Sequence, residues 1–140
     1  MQDHWEKTPE EWSAQLDHVD PVQRMDAAAA LGRFGRRGRP AVPHLIGALR
    51  DEHVGVRKMA ALALGDLGAN GAAATPALIE ALGDADEGVR RRAAVALGEI
   101  GQGHPIVASL LRAALAHANE AIRLRVGDVL DLLRTRSAAA

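Results

Sequence analysis

The chain has 140 residues, of which 48% are hydrophobic and only 2% aromatic, and its 17 basic and 18 acidic residues leave a net charge of −1. This length favours one domain, with a core built from Ala, Leu and Val. The balanced charge disfavours nucleic acid and membranes as partners. The lack of cysteine excludes disulfides, thiolate catalysis and Cys-ligated zinc, and it suits a cytoplasmic location. Neither a signal peptide nor a membrane-spanning stretch is predicted.

The first predicted element is a lone helix at residues 8–17, which opens with Thr-Pro-Glu-Glu, the pattern of a capping box. Trp12 and Leu16 lie on its apolar side, and we expect Trp12 to cover one end of the molecule. The units that follow are repeat 1 (18–50), repeat 2 (51–83) and repeat 3 (84–116). A C-terminal half-repeat (117–134) and a frayed tail (135–140) complete the single predicted domain, 1–140.

These units are defined by a repeat of 33 residues. Four arginines stand at this spacing: Arg24, Arg57, Arg90 and Arg123. A leucine follows each arginine seven residues later: Leu31, Leu64, Leu97 and Leu130. Glycines recur in the same register: Gly32, Gly65 and Gly98. Such self-similarity predicts helical hairpins that bury their apolar faces only by stacking on one another.

Repeat 2 shows how each hairpin is specified. Apolar residues at helical spacing between Val56 and Leu67 predict its first helix. Gly68 is expected to end this helix, because glycine adopts the left-handed conformation without a steric penalty. Thr75 and Pro76 predict the start of the second helix, through a capping hydroxyl and a proline in the first turn. A final helix is predicted at 120–134, with five apolar residues facing inward: Ile122, Val126, Val129, Leu130 and Leu133.

The stretches 56–68 (VRKMAALALGDLG) and 89–101 (VRRRAAVALGEIG) resemble the short HEAT repeat first described in phycobilisome lyases. Ankyrin and tetratricopeptide repeats have similar periods, but their Thr-Pro-Leu-His and Trp-Gly-Tyr patterns are absent. The resemblance extends over residues 8–134. It implies an all-α solenoid, a right-handed superhelix of stacked antiparallel helical hairpins.

The resemblance also implies a structural role for a repeated aspartate and arginine. The residues that match the pair linking neighbouring units are Asp51 with Arg57 and Asp84 with Arg90. A charge-assisted contact at every interface would hold the stacking angle. His18 and His117 stand where the outer copies should carry aspartate, so this ladder is expected to be interrupted at both ends.

No catalytic or metal-binding motif is visible. None of the six histidines forms an i,i+4 pair, and none belongs to a His-Glu pair of the kind that binds iron in deoxyhypusine hydroxylase, which is also built from HEAT-like repeats. The sequence lacks a Gly-x-Ser-x-Gly motif and a phosphate-binding loop. We therefore predict no catalytic residue, no metal and no cofactor.

Two sets of residues are candidates for partner binding. The second helices of HEAT arrays line the concave face, where a shallow groove could accept a helix or an extended peptide. The candidates on this face are Glu11, His44, Arg50, Ala77, Glu80 and Leu110. The alternative is a weakly curved slab without a functional groove.

The second set is an arginine cluster in the first hairpin turn: Arg33, Arg36, Arg37 and Arg39. It could bind a phosphate or an acidic partner surface, or it could be a solvated turn that aids solubility. We expect no aromatic residues interleaved with these arginines, so single-stranded nucleic acid would lack a platform for base stacking.

The sequence thus predicts a non-catalytic scaffold that docks another protein or peptide. An enzyme-associated role, as a bilin lyase subunit or its relative, is implied only by the family resemblance. An engineered repeat binder and a fragment of a longer array are further alternatives. The half-repeat at the end favours the fragment, and exposed apolar ends would give a monomer or a weak end-to-end oligomer.

Overall fold

The computed structural model describes residues 6–139, and this range contains helices and no strand. Its α-helices are α1 (Pro9–Gln15), α2 (Pro21–Leu31), α3 (Val42–Ala48), α4 (Val54–Asp66), α5 (Thr75–Ala81), α6 (Glu87–Gly101), α7 (Ile106–His117) and α8 (Glu120–Ala139). The 3₁₀ segments Gly35–Ala41 and Gly68–Ala74 lead into α3 and α5. Hairpins α2–α3, α4–α5 and α6–α7 stack in chain order, between α1 and α8. The predicted solenoid of helical hairpins is confirmed.

The core follows the stack, between the first helices (α2, α4, α6) and the second helices (α3, α5, α7). Each repeat contributes two fully buried leucines, one from each of its helices: Leu31 with Leu45, Leu64 with Leu78, and Leu97 with Leu111. Burial of one such side chain contributes roughly 1.5–3 kcal/mol. Because the same positions are filled in every repeat, the apolar stripes read from the sequence form one continuous core.

The capping box at the start of α1 has the predicted geometry. The Thr8 hydroxyl accepts a hydrogen bond from the backbone N–H of Glu11 at 3.2 Å, and the Glu11 carboxylate accepts one from the N–H of Thr8 at 3.4 Å. Trp12 packs against the core from α1, beside the buried Leu16. These contacts fix the lone first helix against α2.

The hairpin turns of repeats 1 and 2 differ from that of repeat 3. Gly35 and Gly68 have φ of 56° and 57°, the left-handed conformation expected of a glycine that ends a helix. In repeat 3, α6 instead continues through Gly101. Pro105 directly precedes α7, so this helix begins earlier in the repeat than α5 does. The early proline replaces the 3₁₀ segment with a shorter connection.

Two local predictions are corrected. The Thr75 hydroxyl does not cap α5, because the helix includes Thr75 and the hydroxyl donates to the carbonyl of Ala72 at 2.7 Å. Helix α8 does not end near residue 134 but continues to Ala139, through most of the predicted tail. A contact with α6 accompanies this extension, since Arg136 lies 3.6 Å from Glu99. The final residue, 140, lies outside the described range.

The repeated glycines allow the backbones of neighbouring first helices to pack in direct contact. A Cβ added at Gly32 would lie 2.9 Å from the Cα of Ala63, and one at Gly65 would lie 3.1 Å from the Cα of Ala96. Real Cβ atoms do not approach a neighbouring backbone to 2.9 Å, so any larger residue at position 32 would push α2 away from α4. The glycine register is therefore a packing requirement of the stack.

We expect Gly32→Ala to lower the free energy of unfolding by roughly 1–2 kcal/mol, the cost of overpacking a helix interface. Gly127→Ala is the matched control, because nothing lies within 4 Å of a Cβ at that position of α8. There, alanine should stabilise the helix by about 0.5–1 kcal/mol. Urea unfolding followed by circular dichroism measures both changes. Equal stabilisation by the two variants would disprove the close helix contact.

Candidate functional site

An arginine–aspartate ladder links successive repeats. The Nε and Nη2 atoms of Arg24 donate to the Asp51 carboxylate at 2.8 and 3.0 Å. Arg57 contacts Asp84 in the same way, at 3.0 and 3.2 Å. These four side chains are only 11–17% exposed, so both bidentate pairs are largely shielded from water. Each pair connects the first helix of one repeat to the start of the next repeat.

Hydrogen bonds within each repeat hold the ladder residues in place. The Asp51 carboxylate also accepts from the backbone N–H of His53 at 2.8 Å. The carbonyl of Asp51 accepts from Nη1 of Arg57 at 2.9 Å. Asp51 therefore offers its carboxylate to the preceding repeat and its backbone to its own.

The predicted inter-repeat pairs Asp51–Arg57 and Asp84–Arg90 are corrected by this geometry, because in each of them the arginine donates to the backbone carbonyl of the aspartate within one repeat. Arg57 directs its side chain to Asp84 in the next repeat, and Asp51 is held by Arg24, which was absent from the predicted set. The sequence does carry a signal for the true partners, since both pairs are 27 residues apart.

The environment of the ladder shifts the pKa values of its first pair. Burial raises the pKa of Asp51, but hydrogen bonds from Arg24 and from the backbone of His53 outweigh burial and bring it below the ordinary value. The hydrogen bond to Asp51 raises the pKa of Arg24. Both shifts favour the charged pair in the folded protein.

The ends of the ladder are arranged differently from its middle. At the first position, Nδ1 of His18 accepts from the N–H of Asp20 at 3.0 Å, so the imidazole replaces the carboxylate as local acceptor. At the other end, Arg90 donates through Nη1 to the carbonyl of Asp84 at 2.7 Å. Its Nε is buried and has no acceptor within the part of the chain that the structure describes. The side chain of His117, 27 residues further on, lies outside the described residues.

We expect His117→Asp to raise the free energy of unfolding by about 1 kcal/mol, because it places a carboxylate at the ladder spacing from Arg90. The same substitution in an Arg90→Met background is the control, since no ladder arginine is left there to pair. Thermal or urea unfolding of the four proteins of this cycle measures the coupling. An equal gain with and without Arg90 would show that the new carboxylate acts elsewhere.

Three of the predicted partner-binding residues meet on the second-helix surface, which we define as the exposed faces of α1, α3, α5 and α7 together with the turns that directly follow these helices. Arg50, Ala77 and Glu80 line a depression of about 280 Å³, with the ladder residues Arg57 and Asp84 beside them. Nη2 of Arg50 donates to Oε2 of Glu80 at 3.0 Å, and both side chains are about two-thirds exposed. Exposed pairs of this kind contribute little to stability, so a partner could open this one at small cost.

The other predicted residues of this set are placed differently. His44 is exposed on α3 but does not line the depression. Glu11 is exposed, yet its carboxylate is engaged in the capping box of α1. Leu110 is half-buried on α7 and packs against the core, as Ala77 does on α5. Neither Glu11 nor Leu110 lines the depression.

A groove between the first helices α4 and α6 was not anticipated from the sequence. It has a volume of about 310 Å³, and the half-exposed Val95 contributes to its floor. Lys58 and Arg91 line the end formed by the starts of the two helices, while Asp66 and Glu99 line the other. Burial, followed by the charge of Glu99, raises the pKa of Asp66. The sequence does contain a signal for this groove. Leu62 and Val95 are apolar residues at equivalent positions of α4 and α6, on a side of these helices for which no binding site was predicted.

The arginine cluster is divided by the fold. Arg33 and Arg37 line a cleft of about 420 Å³, which we call the arginine cleft, whereas Arg36 and Arg39 are exposed outside it. The other residues of the arginine cleft are Glu6, Lys7, Trp12, Ala30 and Phe34.

Aromatic rings stand directly beside these cations, contrary to the prediction. The Lys7 ammonium lies 4.7 Å from the Trp12 ring centroid, and the Arg37 guanidinium lies 5.4 Å from that of Phe34. The prediction failed because Trp12 is distant in sequence, while Phe34, which lies among the arginines, was assigned to the core alone.

Residues 6–139 contain no group of three His, Asp or Glu side chains that could hold a metal ion. None of the helices described in this range combines the length and hydrophobicity that crossing a bilayer requires.

Two overlapping stretches of the chain, residues 9–75 and 69–131, match the HEAT-repeat family model. Among solved structures, the complex of CpcE and CpcF of phycocyanin lyase from Nostoc sp. PCC7120 is similar, with 24% identity, a TM-score of 0.63 and coverage of 98% of this chain and 69% of that chain. No curated protein sequence matches the chain.

Two designed folds are also similar. An engineered protein shares 19% identity over 91% of this chain, with a TM-score of 0.63. A designed armadillo repeat protein in complex with the peptide (KR)4 shares 20% identity over 88% of this chain, with a TM-score of 0.61. The chain spans 62% and 63% of these two proteins, respectively. At these identities the likeness shows the solenoid fold.

Proposed function

The chain belongs to the HEAT-repeat family, and on that basis we propose that it is a non-catalytic scaffold that binds a partner protein or peptide. The observation that carries the proposal is the depression on the second-helix surface, where Arg50, Ala77 and Glu80 come together from two successive repeats. Similar structures support the proposal by analogy, since one is a complex of two proteins and another is bound to a peptide.

The depression has features suited to an extended peptide. Its charges alternate, with the exposed pair Arg50–Glu80 beside the shielded pair Arg57–Asp84. The shielded pair is fixed by the ladder, while the exposed pair can exchange its internal contact for contacts with a partner. The small side chain of Ala77 leaves room between them for an apolar side chain of the partner. We therefore expect a partner segment in which an acidic and a basic residue flank a small apolar one.

The test begins with capture of partners from the source cell on the immobilised chain, followed by binding measurements with the captured protein. Arg50→Glu, Glu80→Lys and the exchanged double variant Arg50→Glu/Glu80→Arg should each weaken binding at least about tenfold, or roughly 1.4 kcal/mol. The exchanged variant retains an ion pair, so its loss of binding separates recognition from stability. His44→Glu tests whether contacts extend along α3, outside the depression.

Arg134→Glu is the matched control, because Arg134 is an exposed arginine on α8 that pairs with the nearby Asp131. Unchanged binding by all the Arg50, Glu80 and His44 variants would show that the second-helix surface is not the docking site. If a visible absorbance spectrum developed when the chain was mixed with an open-chain tetrapyrrole, a lyase-associated role would take the place of the proposed scaffold function.

A further inference from the structure

The arginine cleft concentrates positive charge that the described part of the chain does not neutralise. Lys7, Arg33 and Arg37 line it, against one carboxylate, that of Glu6. None of these three cations lies within 4 Å of a carboxylate in residues 6–139. The charge of the cleft is therefore available to a negatively charged partner.

Aromatic rings hold two of these cations in position. Arg37 lies over Phe34, which packs against the core, and Lys7 lies over Trp12 and donates to the side chain of Gln15. A guanidinium whose face rests on a ring keeps its N–H edge free for a bidentate contact with a carboxylate. Because the ring restricts the side chain before binding, less conformational entropy is lost when the contact forms.

The backbone of the turn reinforces this arrangement. Gly35, which has φ of 56°, directly follows Phe34 and is the first residue of the 3₁₀ segment that carries Arg37. The left-handed residue reverses the chain, so the guanidinium of Arg37 can fold back over the ring of Phe34. A volume of about 420 Å³ is large enough to accept several side chains of a peptide.

Charge complementarity favours an acidic peptide over nucleic acid. Both rings are partly buried against the core and have a cation over one face, so they offer no open platform on which bases could stack. The net charge of −1 provides no extended positive track.

We propose that the arginine cleft is a second docking site, which binds an acidic segment of a partner protein. Carboxylates of the segment pair with Arg33 and Arg37, and an adjacent apolar side chain packs against the exposed edges of Trp12 and Phe34. The site lies at the α1 end of the stack, and its ligand chemistry differs from the mixed charges of the second-helix surface. A scaffold with both sites can contact one partner twice or two partners at once.

Fluorescence anisotropy with a labelled peptide of repeated Glu-Glu-Leu units tests the site on the full chain. We expect saturable binding that weakens as salt is added, and a loss of at least about tenfold for Arg33→Glu and for Arg37→Glu. The milder variants Arg33→Gln and Arg37→Gln should weaken binding less, and circular dichroism verifies that each variant is folded.

Two control variants make the result specific. Arg134→Glu removes an exposed arginine from α8, and Arg50→Glu alters the second-helix surface, so neither should change binding of this peptide. The Arg50 variant also separates the tests of the two docking sites, since it alters the second-helix surface and not the arginine cleft. If these control variants weakened peptide binding equally, the peptide would be bound by nonspecific charge attraction, and the proposal would be overturned.

Three further outcomes would also overturn it. Tighter binding of an oligothymidine, lost in the same arginine variants, would identify a nucleic-acid site. Peptide binding that appears only after removal of residues 1–5 would mean that the chain's own N-terminal segment is the occupant. Absence of saturable binding at low salt would exclude an acidic ligand.

Discussion

Leu64→Ala is expected to lower the free energy of unfolding by roughly 2–5 kcal/mol, the range found when a buried leucine is truncated and a cavity remains. Leu64 is 0% exposed and lies in α4, in the middle of the stack. The helices around it already pack backbone against backbone, as at Gly65. They therefore cannot move easily into the cavity that the truncated side chain would leave. Leu97→Ala, at the equivalent position of repeat 3, should have a similar effect.

Leu124→Ala is the control for both variants, because Leu124 is 66% exposed on α8. Its truncation should change stability by no more than about 0.5 kcal/mol. Urea unfolding monitored by circular dichroism compares the three proteins with the parent chain. An unfolding midpoint that neither Leu64→Ala nor Leu97→Ala moves would contradict the shared core on which the stacking depends.

Asp51→Ala should cost roughly 1.5–3 kcal/mol at neutral pH, the contribution of hydrogen bonds to charged groups that are shielded from water. The variant removes the acceptor of Arg24 and of the His53 N–H together. The pKa of Asp51 is lower in the folded chain than its ordinary value of 3.8. A depressed carboxyl pKa contributes stability above the unfolded value, and this contribution is lost as pH falls through the folded value.

The difference between the parent chain and Asp51→Ala should therefore be full above pH 3.8 and shrink at lower pH. Stability measured by urea unfolding at a series of pH values tests this dependence. Asp131→Ala is the control, since its pair with Arg134 is highly exposed and should contribute well under 1 kcal/mol. A constant penalty for Asp51→Ala down to strongly acidic pH would show that the ion pair is not the source of its effect.

The two docking surfaces have different relations to the structural framework. The depression at Arg50 and Glu80 adjoins the ladder, so its shape depends on the angle between repeats 1 and 2. The arginine cleft depends instead on α1 and the first hairpin turn. Loss of a ladder pair should thus disturb the first surface more than the second, because the ladder sets the spacing of the repeats.

Features that depend on local sequence or on the period were predictable. The capping box of Thr8 and Glu11 involves residues three apart, and the turn at Gly68 needs only the conformational freedom of one glycine. The buried leucines were predictable because every repeat must present the same face to its neighbours. These elements were sufficient to recognise the solenoid and its family.

Features that depend on the relative positions of distant side chains were decided only by the tertiary structure. Arg24 reaches Asp51 because stacking brings the first helix of one repeat beside the start of the next. Packing of α1 against the first turn brings Trp12 to the cleft of Arg37. The period of the chain determined which helices form and stack, because each hairpin needs neighbours to bury its apolar face. It could not determine which charged side chains meet, because contacts between side chains depend on helix spacing and rotation that only the packed stack establishes.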